Sequence, residues 1–155
     1  MKFEEWLTTV PSELTGDPLW RMQVYRLAVF AGDLAWPDVT KLFQDKRTLD
    51  LAGQLYRAIG SVSANIAEGY SHRSHKDQAR FYEYALGSAR ESRDWYYKAR
   101  HILTAAVALH RMKLLTEIIR LLLTIIPAER GYKISEERES YNTFDPTFLD
   151  NPPMP

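Results

Sequence analysis

Four stretches of this chain repeat apolar residues every three or four positions, each over several helical turns. That spacing lays side chains along one face of a helix, and nowhere does the chain show the alternation of a half-buried strand. Amphipathic helices joined by short connections bury their faces against one another as antiparallel neighbours. The fold class that follows is all-α, an antiparallel up-and-down four-helix bundle, with a short amphipathic segment before it and an irregular tail after it. The 155 residues suit one domain with its own core.

The first long helix opens at Thr15-Gly-Asp-Pro-Leu, where Asp17 can cap and Pro18 suits the first helical position. Trp20, Val24, Leu27, Ala31 and Leu34 form its stripe, and Trp36-Pro37 predicts its end. Residues 37–48 then read as a linker with a short turn around Val39 to Phe43. The second helix runs from about Leu49 to Ala67, with Leu51, Leu55, Ala58, Val62 and Asn65/Ile66 inside. Gly69 stands where a left-handed C-terminal cap is wanted.

The third helix runs from about Ser74 or His75 to Leu103, and Ser74 with Asp77 fits an N-terminal box. It carries two stripes, one through Ala79, Tyr82, Leu86, Ala89, Tyr96 and Leu103, the other through Phe81, Ala85, Ser88, Ser92, Trp95, Ala99 and Ile102. The fourth spans about Ala105 to Ile126, ends at Pro127, and also carries two: Met112, Leu115, Ile119, Leu122, Ile126 and Leu114, Ile118, Leu121, Ile125. A helix on the rim of a monomeric bundle needs one stripe. The extra width predicts burial in a homo-oligomer; the alternative is a simply apolar core helix.

Residues 1–17 form an N-terminal segment in which Phe3, Trp6, Leu7 and Val10 share a face before Pro11. It either docks or frays. Residues 18–130 are the bundle domain. From Gly131 the pattern stops: Ser135-Glu-Glu-Arg-Glu-Ser is charged and Asn151-Pro-Pro-Met-Pro155 is proline-rich, so residues 131–155 read as a flexible tail. Phe144, Phe148 and Leu149 offer it a way to dock on a neighbouring subunit.

Twenty basic residues balance twenty acidic ones, so any nucleic-acid preference must come from local clustering. The lack of cysteine rules out disulfide and thiolate chemistry and fits a reducing compartment. The start of the chain has acids where a signal peptide needs basic residues. The run Ile118 to Ile126 is too short for a membrane span and contains Arg120. The expectation is a cytoplasmic protein with no membrane role.

On the second helix Arg57, Ser61, Asn65 and Glu68 share one face. Antiparallel pairing about the loop near residue 72 brings Arg57 level with Ser88 and Glu91, and Glu68 level with Lys76 and Arg80. The small residues Gly60, Ala64, Ala85, Gly87 and Ser88 invite close backbones. The expected role is a polar ladder that fixes helix register, since buried polar groups must find partners. A carboxylate pair of Glu68 with Glu91 is the weaker alternative, because each has a basic neighbour.

A di-metal carboxylate bundle needs Glu-x-x-His motifs, and there are none. There is also no glycine-rich phosphate loop and no Gly-x-Ser-x-Gly. His72 and His75 have metal-like spacing but fall in an exposed loop, and His101 and His110 flank a turn as solvated histidines. The expectation is no enzyme: no catalytic residue, no metal, no cofactor and no small-molecule substrate. The loop and the start of the third helix gather His72, Arg73, His75, Lys76 and Arg80. Arg90, Arg93, Lys98 and Arg100 follow, with Tyr70, Tyr82, Tyr84, Tyr96 and Tyr97 interleaved. Cations among aromatics can hold phosphates and stack on bases. Asp77, Glu83, Glu91 and Asp94 dilute the charge, so a solvated mixed face is the alternative. A ring of copies would concentrate the loop on one rim.

The run Ser61…Asn65-Ile66-Ala67-Glu68-Gly69, then Arg73-Ser74, Phe81, and Ala85-Leu86-Gly87-Ser88…Glu91, resembles the bacterial four helix bundle family. That family is also called the 23S rRNA-intervening sequence protein family. The likeness covers roughly Leu19 to Leu123. One departure is Ser63-Ala64 where many members have Pro-Ser, which should leave the second helix straighter. The resemblance implies an antiparallel bundle that assembles as a homopentamer. It also implies kinship with accessory proteins of diversity-generating retroelements, with RNA or another nucleic acid and a reverse transcriptase as partners. No catalytic residue is carried over. Two readings follow: a nucleic-acid-associated accessory protein, or a scaffold that gathers a neighbour-encoded protein through the tail or the N-terminal segment.

Overall fold

The computed structural model describes residues 2–131 and 145–155. Two short helices, α1 (Phe3–Leu7) and α2 (Ser12–Thr15), precede four long ones: α3 (Gln23–Leu42), α4 (Leu49–Ser71), α5 (His75–Ala99) and α6 (Ala105–Arg130). Single 3-10 turns lie at Pro18–Arg21, Lys46–Thr48 and Pro146–Leu149. Helix α3 packs on α4, α4 on α5, α5 on α6, and α6 closes back on α3. With short connections this is the up-and-down bundle, and no strand occurs among the described residues.

The stripes read from the sequence fill the centre. Val24, Leu27, Ala31, Leu55, Val62, Ile66, Tyr82, Ala89, Leu115, Ile119 and Leu122 are all buried in one cluster. The N-terminal segment joins it. Phe3 and Trp6 are buried, their rings pack on Phe30 at 5.1 and 5.0 Å, and Trp6 Nε1 donates to Asp33 Oδ2 at 2.6 Å. So short a helix is marginal alone and stands because α3 receives it.

Several boundaries differ from expectation. Asp17 caps the 3-10 turn at Pro18–Arg21, and α3 itself starts only at Gln23. Pro37 does not end α3, which runs to Leu42. Asp38, Val39 and Leu42 are buried there, and that packing outweighs the hydrogen bond a proline cannot make. Of the expected linker, residues 37–42 are thus α-helix and Lys46–Thr48 a 3-10 turn, and Thr48 Oγ1 donates to the Leu42 carbonyl at 2.6 Å. Pro127 likewise lies inside α6, whose last turn reaches Arg130 before Gly131 caps it at φ 74°.

Gly69 is not a left-handed cap. It is helical and buried, and α4 continues to Ser71. A Cβ there would lie 2.8 Å from Tyr82 Cε1 and 3.1 Å from Phe81 Cβ, so glycine serves the close approach of α4 to α5. The third helix stops at Ala99 rather than Leu103.

The wide face of α6 also has a local explanation. Leu114 and Ile118 are as buried as Leu115 and Ile119 within one chain. Helix α6 sits between α3 and α5 and is covered near its start by the C-terminal segment, which accounts for Leu114 and Ile118, whereas Leu121 and Ile125 are only partly buried. Residues 145–155 are packed rather than free, with Leu149 and Pro152 buried. Phe144 lies outside the described residues.

Candidate nucleic-acid interface

The basic residues gather at the end of the bundle where α4 turns into α5. Ser74 caps α5 through Asp77 N, and the Gln78 side chain donates to the His72 carbonyl at 2.6 Å, fixing the turn. His72 lies flat on Phe81, centroids 4.8 Å apart and planes 12° apart. The Arg80 guanidinium sits 5.5 Å from the Phe81 centroid and 6.0 Å from that of Tyr84, and these two rings meet edge to face. Tyr70 and Tyr84 are exposed. Stacked imidazole, phenyl, guanidinium and phenol groups make a platform with π-faces and positive charge.

The five candidates do not stand alike. His75 Nδ1 is engaged by the Glu129 carboxylate, supplied by the α6 turn beyond Pro127. Arg130, beside it, holds Glu83 in a two-pronged contact at 2.7 and 2.8 Å. His72 and Arg80 belong to the stack. Arg73 and Lys76 are exposed, and neither forms a hydrogen bond or ion pair among the described residues. They are the cations best placed to take phosphate oxygens. No group of three His, Cys, Asp or Glu residues that could hold a metal ion occurs among the described residues.

The polar ladder does not bridge α4 and α5. Arg57 and Glu68 are exposed and form no ion pair among the described residues. Ser61 Oγ donates to the Arg57 carbonyl, Asn65 Nδ2 to the Ser61 carbonyl, and Ser92 Oγ to the Ser88 carbonyl, each at 2.8 Å within its own helix. Glu91 accepts from Trp95 Nε1 at 3.1 Å. Nothing lies within 4 Å of a Cβ built on Gly60 or Gly87, so these glycines face open space. The expected register device is instead a solvated face. The backbones approach closely through Gly69, together with buried Ala85.

A second cluster, which the sequence did not suggest, lies at the opposite end. Arg111 and Asp38 form an ion pair with side chains only 1% and 0% exposed. Arg111 Nε and Nη2 donate to Asp38 at 2.8 and 3.2 Å, and Tyr96 OH donates to Asp38 Oδ2 at 2.9 Å. Arg111 Nη1 meets His110 Nδ1 at 2.9 Å, which leaves the proton of the neutral imidazole on Nε2, facing the Phe148 carbonyl at 2.9 Å. Arg111 Nη2 also donates to the Pro153 carbonyl at 2.9 Å.

Burial first, and then the Arg111 charge, push the His110 imidazole down to about 4. Burial and the Asp38 carboxylate hold the Tyr96 phenol well above its ordinary value. His110 is therefore a neutral buried group and not the solvated turn histidine expected. Each guanidinium nitrogen already donates inside the fold, which gives the cluster a structural part. One signal was available: Val107, Arg111, Leu114 and Ile118 share one helical face, placing an arginine on an apolar stripe. Asp38 gave none, because it follows the proline that should have ended its helix.

No helix among the described residues is long and apolar enough to cross a membrane. Among curated proteins and among solved structures nothing matches the chain. The model of the 23S rRNA-intervening sequence protein family matches residues 21–125, from just before α3 to the last turns of α6. The match takes in α3, α4, α5 and most of α6 and leaves out the N-terminal segment and the tail. The bundle, the glycine-tight α4–α5 junction and this match together place the chain in the 23S rRNA-intervening sequence protein family.

Proposed function

We propose that the protein is a non-enzymatic, cytoplasmic, homo-oligomeric accessory factor that binds RNA or another nucleic acid through the α4–α5 end of its bundle. The observation that carries this reading is the exposed pair Arg73 and Lys76 beside the His72–Phe81–Arg80–Tyr84 stack. Cations fix the phosphate backbone while aromatic faces accept bases without strong sequence preference. A pentamer, as the family resemblance implies, repeats the loop five times on one rim and turns a weak patch into a binding surface. The solvated face of Arg57, Ser61, Asn65, Glu68, Gly87, Ser88 and Glu91 is the surface we assign to contact between copies, since it fills no monomer core.

Titration of a structured RNA at low and at physiological salt tests the reading. Binding that weakens linearly in log salt is expected, and no binding at low salt removes the nucleic-acid role. Light scattering at micromolar concentration tests the oligomer, and a monomer there ends it. The scaffold reading has one observation in its favour: Trp36 is 63% exposed on the face shared by α3 and α4, with Tyr56 against it at 5.8 Å. Co-purification of a neighbour-encoded protein, lost in Trp36→Ser, would favour that alternative. A reverse transcriptase as that neighbour would join the two readings.

A further inference from the structure

The C-terminal segment meets α6 with an unusual division of labour. The bundle offers donors, His110 Nε2–H and Arg111 Nη2–H, both on buried side chains. The segment offers acceptors, the carbonyls of Phe148 and Pro153. Pro152 and Pro153 have no N–H to satisfy, so an extended proline-containing stretch suits a surface that only donates. Leu149 and Pro152 are buried against the bundle, and the Phe148 ring stands across the His110 ring at 5.6 Å and 69°.

The surface does not need the segment in order to exist. Without Pro153, Arg111 keeps its bonds to both Asp38 oxygens and to His110. Two donors would then turn to water. Among the described residues the hold on the segment includes the hydrogen bonds to the Phe148 and Pro153 carbonyls and the buried side chains Leu149 and Pro152, a small contact of the kind that opens locally.

We propose that the surface around His110 and Arg111 is a peptide-docking site, and that the chain's own C-terminal segment is its intramolecular occupant. The partner it fits is an extended peptide of the same chemistry: an aromatic–aliphatic pair followed by prolines, bound by main-chain carbonyls. Tethering gives the resident segment an effective concentration on the order of mM, so it excludes weak competitors and yields to stronger ones. The exchange is independent of the α4–α5 end and of whether RNA binds there.

The test uses the full chain carrying Leu149→Asp, which releases the resident segment, and a labelled synthetic peptide of residues 145–155. The peptide is expected to bind this variant at least about tenfold more tightly than the wild-type chain, where the tethered segment competes. The same peptide carrying Leu149→Asp should bind neither. Equal binding to both proteins, or none to a variant that keeps its helical circular dichroism, overturns the proposal. Should the variant fail to fold, hydrogen exchange on the wild-type chain decides. Excess peptide should speed exchange of the Asp150 amide, which is bonded to the Thr147 carbonyl at 3.1 Å. Exchange unaffected by the peptide overturns the proposal.

Discussion

The two ends of the bundle use the same residue types in opposite ways. Where α4 turns into α5, histidine, arginine and aromatic rings stack outward, and Arg73 and Lys76 stand in solvent. At the far end, His110, Arg111 and Tyr96 point inward around Asp38, and every polar group is matched. Outside, a charge costs little and is free to meet a ligand. Inside, a charge is tolerated only with a full set of partners, and those partners then specify one arrangement. The contrast separates a surface left open to solvent from a cluster whose polar groups all find partners within the chain.

The largest expected effect lies at the buried end. Arg111→Met strands the Asp38 carboxylate in the core and should cost about 3–5 kcal/mol in urea unfolding. Asp38→Leu combined with Arg111→Met should recover most of it. If the single substitution leaves the urea midpoint unchanged, the two ends do not differ as described.

The next effect lies at the exposed end, where one position behaves like core. Gly69→Val would drive a side chain into Tyr82 and should cost about 1–3 kcal/mol. A neutral result would mean that α4 and α5 are not so close.

Acid should reach the buried end through His110. Its folded value, about 4, lies below the ordinary value near 6.5, so the unfolded chain takes up the proton first. Its contribution is complete above about pH 6.5 and is lost as pH falls toward 4. Thermal melts from pH 7 to pH 5 should fall for the wild-type chain more steeply than for His110→Gln, whose amide can still donate to the Phe148 carbonyl. Parallel curves would show that His110 does not titrate differently in the two states.

The smallest stability effect belongs to Arg73→Ala with Lys76→Ala, expected within about 0.5 kcal/mol of the parent. The same pair should weaken RNA binding and reduce the log–log salt slope by roughly 1.5, the share of two phosphate contacts. A large loss of melting temperature would place these residues in the fold rather than at an interface.

How far each feature could be read from the sequence follows the range of the forces behind it. Ser74 as the cap of α5 and the stripe Val24, Leu27, Ala31, Leu34 were legible, because capping and amphipathicity act within a turn or two. The gathering of His72, Arg73, His75, Lys76 and Arg80 was legible because they are neighbours in the chain. The engagement of His75 by Glu129 was not, since it depends on α6 passing through Pro127. The ladder of Arg57, Asn65 and Glu68 was misplaced because one shared helical face does not say which way that face points.

The sequence by itself determined four long helices and their up-and-down order, because periodicity and short loops are properties of neighbouring residues, and its motifs Asn65–Gly69 and Ala85–Ser88 carried the likeness to the family. Tertiary structure alone decided that α3 and α6 pass through their prolines and that Gly69 is a contact point rather than a cap. It alone brought together Asp38, Tyr96, Arg111 and a C-terminal segment far away in the chain. Those outcomes depend on packing between distant residues, where buried contacts outweigh local preference and an ion pair forms only once the helices carrying it have met.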